Sequence, residues 1–241
     1  GADQVTASTV VVKGGTLIAE GQPHAGSYAV DNGWVTIAAD GKSYTFTAKP
    51  NIDPATTSQS ITFEVTDADG DKAETTVTVT LNQATPPTIG DKMTVKEEGL
   101  SDGSNSTSTA ETATWSAPAG YTIEGIATNG AKGTASIVDG KLSYTLSDNL
   151  LVEGTGKNTA ENADTVKVTL KDGQGNTFVV DVKVDVIDDV PTISVDSATK
   201  EVTEGNSVTG TIAPIYGADQ VTASTVVVKG GTLITDGDHK G

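Results

Sequence analysis

The 241-residue chain has no cysteine and no arginine. Without cysteine no disulfide reports the redox compartment, and any fold must stand without a covalent cross-link. Without arginine the bidentate clamp for phosphate or carboxylate is missing, because all fifteen basic residues are lysine. The formal charge of −17 and a pI near 4.2 exclude a nucleic-acid partner, which needs clustered positive charge. The same acidic surface suits hard cations, and it also keeps a protein soluble. Aromatics make up 4% and apolar residues 35% of the chain, which fits thin β-sandwiches better than a thick mixed core. No apolar run approaches the roughly 20 residues of a membrane-spanning helix, so no membrane insertion is expected in this segment. No signal-peptide pattern is present.

What the chain does have is repetition. GADQVTASTVVVKGGTLI runs from Gly1 to Ile18 and returns, letter for letter, from Gly217 to Ile234, 216 residues later. A weaker echo lies inside that period. Pro87-Thr88-Ile89 and Pro191-Thr192-Ile193 are offset by 104 residues, and Asp40-Gly41-Lys42 with Tyr44 matches Asp139-Gly140-Lys141 with Tyr144. The period therefore holds two related modules of about 100 residues, an ordinary domain size.

Short alternating runs separated by turn residues predict strands throughout, with no helical period. In SITFEV, Ile61, Phe63 and Val65 share one face. The return strand TTVTVTL sends Val77, Val79 and Leu81 the same way, and Val180, Val182, Val184 and Val186 do so in the second module. The expected fold is all-β: tandem immunoglobulin-like sandwiches of Greek-key type without significant helix. Residues 1–85 read as a module without its first strands, 86–190 as a complete module and 191–241 as the N-terminal part of a third. That last part is expected to be able to complement 1–85 within a chain or between chains, a self-association through open sandwich edges.

Catalysis has no foothold. His24 and His239 stand in polar loops without metal or triad spacing. No GxSxG elbow occurs, no Gly-rich strand-to-helix phosphate loop appears, and the paired carboxylates sit in turns and linkers. The chain is read as no enzyme. Cation chemistry has candidates. Asp67-Ala68-Asp69-Gly70-Asp71 puts carboxylates at alternate positions around a glycine, a loop able to wrap oxygen ligands around calcium, or an ordinary Asp/Gly hairpin turn. In the second module Asp172 stands where Asp67 stood, with Gln174 and Asn176 replacing two carboxylates. Asp188 and Asp189, beside Pro191, form a second acidic pair at a module junction, which Glu204 or Asp172 is expected to complete. A solvated acidic linker is the plain alternative. Trp34 and Trp115 both fall in strands where core packing is expected.

TDADGDKAETTVTVTL, DDVPTISV, VTEGNSVTG and DGKSYTFT resemble the repeats of large bacterial type I-secreted biofilm adhesins of the RTX type. The resemblance implies an extender segment at the bacterial cell surface or in the extracellular biofilm matrix, whose partners are neighbouring modules of the same protein. It also implies calcium as the stiffening ion, with Asp67, Asp69, Asp71, Asp188 and Asp189 as ligands. Two other functions stay open: a self-assembling filament subunit completed by strand exchange, and a module that grips glycan or protein.

Overall fold

The computed structural model describes residues 10–150, 158–219 and 226–234. His239 and the first nine residues of both copies of the repeated stretch are not all among them: Gly1–Thr9, residues 220–225 and His239 lie outside the described residues. The fold is all-β, as expected, with one 3₁₀ turn at Glu97–Gly99 as its only helical element among the described residues. By contacts the chain divides into two compact units, residues 1–86 with 171–177, and residues 87–170 with 178–241.

The first unit carries β1 (Val11–Val12), β2 (Thr16–Leu17), β3 (Tyr28–Val30), β4 (Gly33–Ile37), β5 (Tyr44–Ala48), β6 (Ser58–Thr66) and β7 (Lys72–Thr80). One sheet runs β1-β6-β7 and the other β2-β3-β4-β5. Their inner faces meet in a core of Val12, Val35 and Ile61, lined by Tyr28, Phe46, Phe63, Val77 and others. Strand alternation is what sorts these residues. Ile61, Phe63, Val77 and Val79 point inward as the pattern predicts, whereas Val65, beside the β6–β7 turn, is 39% exposed. The buried Gln59 is satisfied: its Oε1 accepts from the amide and the side chain of Asn32 at 3.0 and 3.1 Å.

The second unit carries β8 (Met93–Lys96), β9 (Thr112–Trp115), β10 (Tyr121–Thr128), β11 (Gly133–Val138), β12 (Lys141–Leu146), most of β13 (Thr159–Asp172) and β14 (Thr177–Ile187), then β15 (Thr192–Val195) and β16 (Ile212–Ile215). One sheet is ordered β10-β13-β14-β8, with β8 parallel to β14, and the other β11-β12-β9. Val180, Val182, Val184 and Val186 all lie in the core, facing Leu142, Tyr144, Leu146 and Trp115 from the opposite sheet. Each such side chain contributes about 1.5–3 kcal/mol by leaving water. Deep in this core Tyr144 donates its hydroxyl to Asp164 Oδ2 at 2.7 Å, and Asp164 also accepts the amides of Ala131 and Lys132. β15 and β16 pair antiparallel but stay exposed on their apolar positions.

One sequence expectation needs correction. Trp115 is a core residue at 5% exposure, but Trp34 is not. Val35 takes the inward position on β4, so its neighbour Trp34 must face outward. The His24 imidazole, at a left-handed φ of 62°, stacks on it with ring centroids 3.8 Å apart and planes 13° from parallel.

Candidate metal centres

The β6–β7 turn is built by its first aspartate. Asp67 Oδ1 accepts the amides of Gly70 at 3.1 Å and Asp71 at 2.8 Å, and Gly70 supplies the left-handed φ of 100° that the reversal needs. This folding of the chain over one carboxylate draws the other two toward it. Asp67, Asp69 and Asp71 each offer an oxygen within 4.8 Å of the others, the one such acidic trio among the described residues, and all three are exposed. The Asp67 carboxyl is held below its ordinary value by its hydrogen bond with Asp69. Burial opposes this, and the amides of Asp71, Gly70 and Asp69 reinforce it. The trio predicted from spacing is thus brought together.

The matching turn at Asp172 has gone another way. Asp172 Oδ1 accepts the amides of Gln174 and Asn176, while Oδ2 accepts the Asn176 side chain at 2.8 Å. Both oxygens are engaged by the chain itself, and the Asn176 amide is the largest influence holding the Asp172 carboxyl low. Nor does Asp172 complete the pair at Asp188 and Asp189. β14 separates them end to end, about 35 Å at the usual rise per residue of an extended strand.

The Asp188-Asp189 pair has partners of its own in the second unit. Asp189 is buried, and its carboxylate accepts the Ser104 amide at 2.7 Å and the Ser104 hydroxyl at 2.6 Å. The Asp189 amide donates to Oε2 of Glu97 at 3.3 Å, and the Leu150 amide donates to Oε1 of Glu97. Glu97 is fully buried. Gly217 rests on the Asp189 backbone so closely that a Cβ there would meet the Asp189 carbonyl oxygen at 1.9 Å. That contact sets the following residue but one, Asp219, near the group, where Asn149 Nδ2 donates to it at 2.6 Å. Burial, first, and then the charges of Asp188 and Asp219 push the Glu97 carboxyl up to about 7, against the pull of the two amides. Asp188 is raised as well, by burial and then by Asp219, with Asp189 adding to it.

Glu204 is not in this assembly. It is exposed in a turn, and no bond among the described residues joins it to Asp188 or Asp189. Its place is taken by Glu97, a residue that sequence reading passed over. The signal was weak: Val95-Lys96-Glu97 and Val202-Thr203-Glu204 share only a Val-x-Glu pattern, and their spacing is not that of the module offset. Asp219 stands in the repeated GADQ, and nothing in its letters marks it.

The donor set is acidic and all-oxygen, the chemistry a hard cation takes. Four carboxylates, of Glu97, Asp188, Asp189 and Asp219, gather in one region, and among the described residues no salt bridge reaches any of them. They are a looser group than the Asp67 trio, since no three of them bring ligand oxygens within 4.8 Å of one another. Elsewhere on the same 3₁₀ turn, Gly99 lies against Glu111, whose buried Oε2 has no hydrogen-bond partner. Buried negative charge without a compensating cation is costly, and all-oxygen carboxylate sets are what calcium selects. No family model matches the chain, and no curated protein matches it.

Proposed function

We propose that this chain is a structural, non-enzymatic repeat segment of a bacterial surface adhesin or biofilm matrix fibre, braced by calcium and working outside the cell. The observation that carries this proposal is the buried Glu97 with Asp188, Asp189 and Asp219 around it. A catalytic carboxylate needs access to a substrate, whereas Glu97 has no exposed surface. What it touches instead is the Leu150 amide on one side and the Asp189 amide on the other.

Glu97, Asp188, Asp189 and Asp219 would hold one ion, and Asp67, Asp69 and Asp71 a second. Calcium would supply the positive charge and the six to eight oxygen bonds that such carboxylates favour. Glu97 ties the 3₁₀ turn to the segment leaving β14, and Asp219 draws in the start of the next copy of the repeat. Asp189 and Ser104 fix that segment from the other side. With the acidic charge balanced, this part of the chain resists separation. With it unbalanced, the carboxylates repel one another. The proposal also draws on the tandem repetition, since units joined in a row need only neighbour contacts and lengthen by duplication. Millimolar calcium outside a cell stabilises such a fold by mass action.

Calorimetric titration with calcium tests it. The full chain is expected to show two classes of site, with Asp188→Asn/Asp219→Asn removing one and Asp69→Asn/Asp71→Asn the other. Absence of calcium binding at millimolar concentration would overturn it.

A further inference from the structure

Residues 10–18 and 226–234 have the same nine letters, VVVKGGTLI, and the same local shape. Gly14 and Gly230 adopt φ of 75° and 78°, and the amides of Gly15 and Gly231 each donate to the valine carbonyl three residues back at 3.1 Å. The turn is therefore written into the local sequence. The surroundings differ. Val12 is 3% exposed and Val228, its counterpart, is 82% exposed.

In the first unit this segment is seated on both sheets. Val11 and Val12 pair with Glu64 and Phe63 of β6, and the Lys13 amide donates to the Thr62 carbonyl at 2.8 Å. Thr16 and Leu17 pair with Ala29 and Tyr28 of β3. Lys13 Nζ reaches Glu74 at 2.5 Å. Every one of these contacts is made by a residue that 226–234 also possesses. Among the described residues, 226–234 has no strand partner, and Val227 and Leu233 are exposed along with Val228.

We infer that the seat formed by the β6 and β3 edges accepts residues 226–234 of a second copy of the chain in place of its own residues 10–18. Val228 then fills the place of Val12 and Lys229 faces Glu74. The inference does not rest on the metal proposal, since no carboxylate of either acidic group takes part. Once seated, either segment would make the same contacts, so the tethered one holds the seat by proximity, an effective concentration on the order of millimolar. Weakening the tethered copy alone tips the choice. Donor and acceptor surfaces are different parts of the molecule, so the contact either closes by reciprocal exchange between two copies or propagates head-to-tail into longer species.

The test uses the full chain with Val12→Asp, which unseats residues 10–18 and leaves Val228 intact, compared with Val12→Asp/Val228→Asp. Sedimentation velocity at rising concentration should show Val12→Asp forming dimers and longer species, with the double variant monomeric. Cooperative folding of the first unit should be recovered only in the former. The milder pair Val12→Ala and Val12→Ala/Val228→Asp should show the same ordering, with a several-fold smaller oligomer fraction. If Val12→Asp is monomeric at every concentration, or associates as strongly as the double variant, the inference is wrong.

Discussion

The amide of Asp189 donates to the carboxylate of Glu97 at 3.3 Å, joining two acidic residues 92 positions apart in the interior of the second unit. A backbone N–H favours a carboxylate, but it does not balance a full charge in a dry site. Glu97 is consequently a residue whose ionisation works against the fold when no cation is present.

Glu97→Gln should therefore change sign with conditions. The carboxyl goes from 4.5 in the unfolded chain to about 7 in the folded one. A raised folded value means that stability is fully present below pH 4.5 and is lost as pH rises toward 7, about 3 kcal/mol in all. In chelator at pH 8 the glutamine variant should melt higher than the parent, and at pH 4 the two should agree. In millimolar calcium at pH 8 it should melt lower. Scanning calorimetry at the two pH values reads all three comparisons.

Asp71→Asn copies into the first turn the residue that Asn176 provides in the second. An asparagine side chain at that position can donate to Asp67 as Asn176 does to Asp172. Stability in chelator should stay within about 0.5 kcal/mol, as for most exposed substitutions. Calcium affinity at this turn should fall by about tenfold or more, because each lost charge weakens a hard-cation site. Terbium luminescence titration distinguishes the two effects.

Tyr144→Phe removes the hydroxyl that donates to Asp164 and leaves a buried carboxylate one partner short. The loss should be about 1.5–3 kcal/mol, the usual worth of a bond to a charged group. Burial works against the Asp164 charge, but the Lys132 amide, the Tyr144 hydroxyl and the Ala131 and Thr165 amides more than offset it, so its carboxyl lies below the ordinary value of 3.8. A lowered folded value contributes stability that is present above pH 3.8 and lost as pH falls below it. The phenylalanine variant should lose less on acidification than the parent, as urea unfolding at pH 3 and pH 6 would measure.

Lys13→Ala should change the stability of the first unit little. Its bond to Glu74 is 2.5 Å long, but both side chains are 54% and 39% exposed, and such pairs contribute little. Salt dependence of the melting temperature should hardly change.

Much of the fold was legible because strand alternation is a local signal. Ile61, Phe63 and the valines of β14 show their inward faces in the letters alone, and Gly14 and Gly230 take the same turn in two settings. Trp34 lies outside the core because alternation fixes which residues share a face but not which face is inside, and Val35 is the residue that β4 buries. The Asp67 trio could be read because its ligands are two residues apart. The Glu97 group could not, because its members come from positions 97, 188, 189 and 219, and only parallel pairing of β8 with β14 and the close seat of Gly217 bring them together. Glu204 stays exposed in its own turn, and the length of β14 alone places Asp172 out of reach.

Thermal unfolding of the full chain in excess chelator and across a calcium titration to millimolar, at pH 8, tests the central claim most directly. A melting temperature that climbs with calcium, and climbs markedly less in Glu97→Gln/Asp188→Asn, which keeps only the Asp67 site, is the predicted result. An unchanged melting temperature, or a rise that the double variant fully retains, would contradict it.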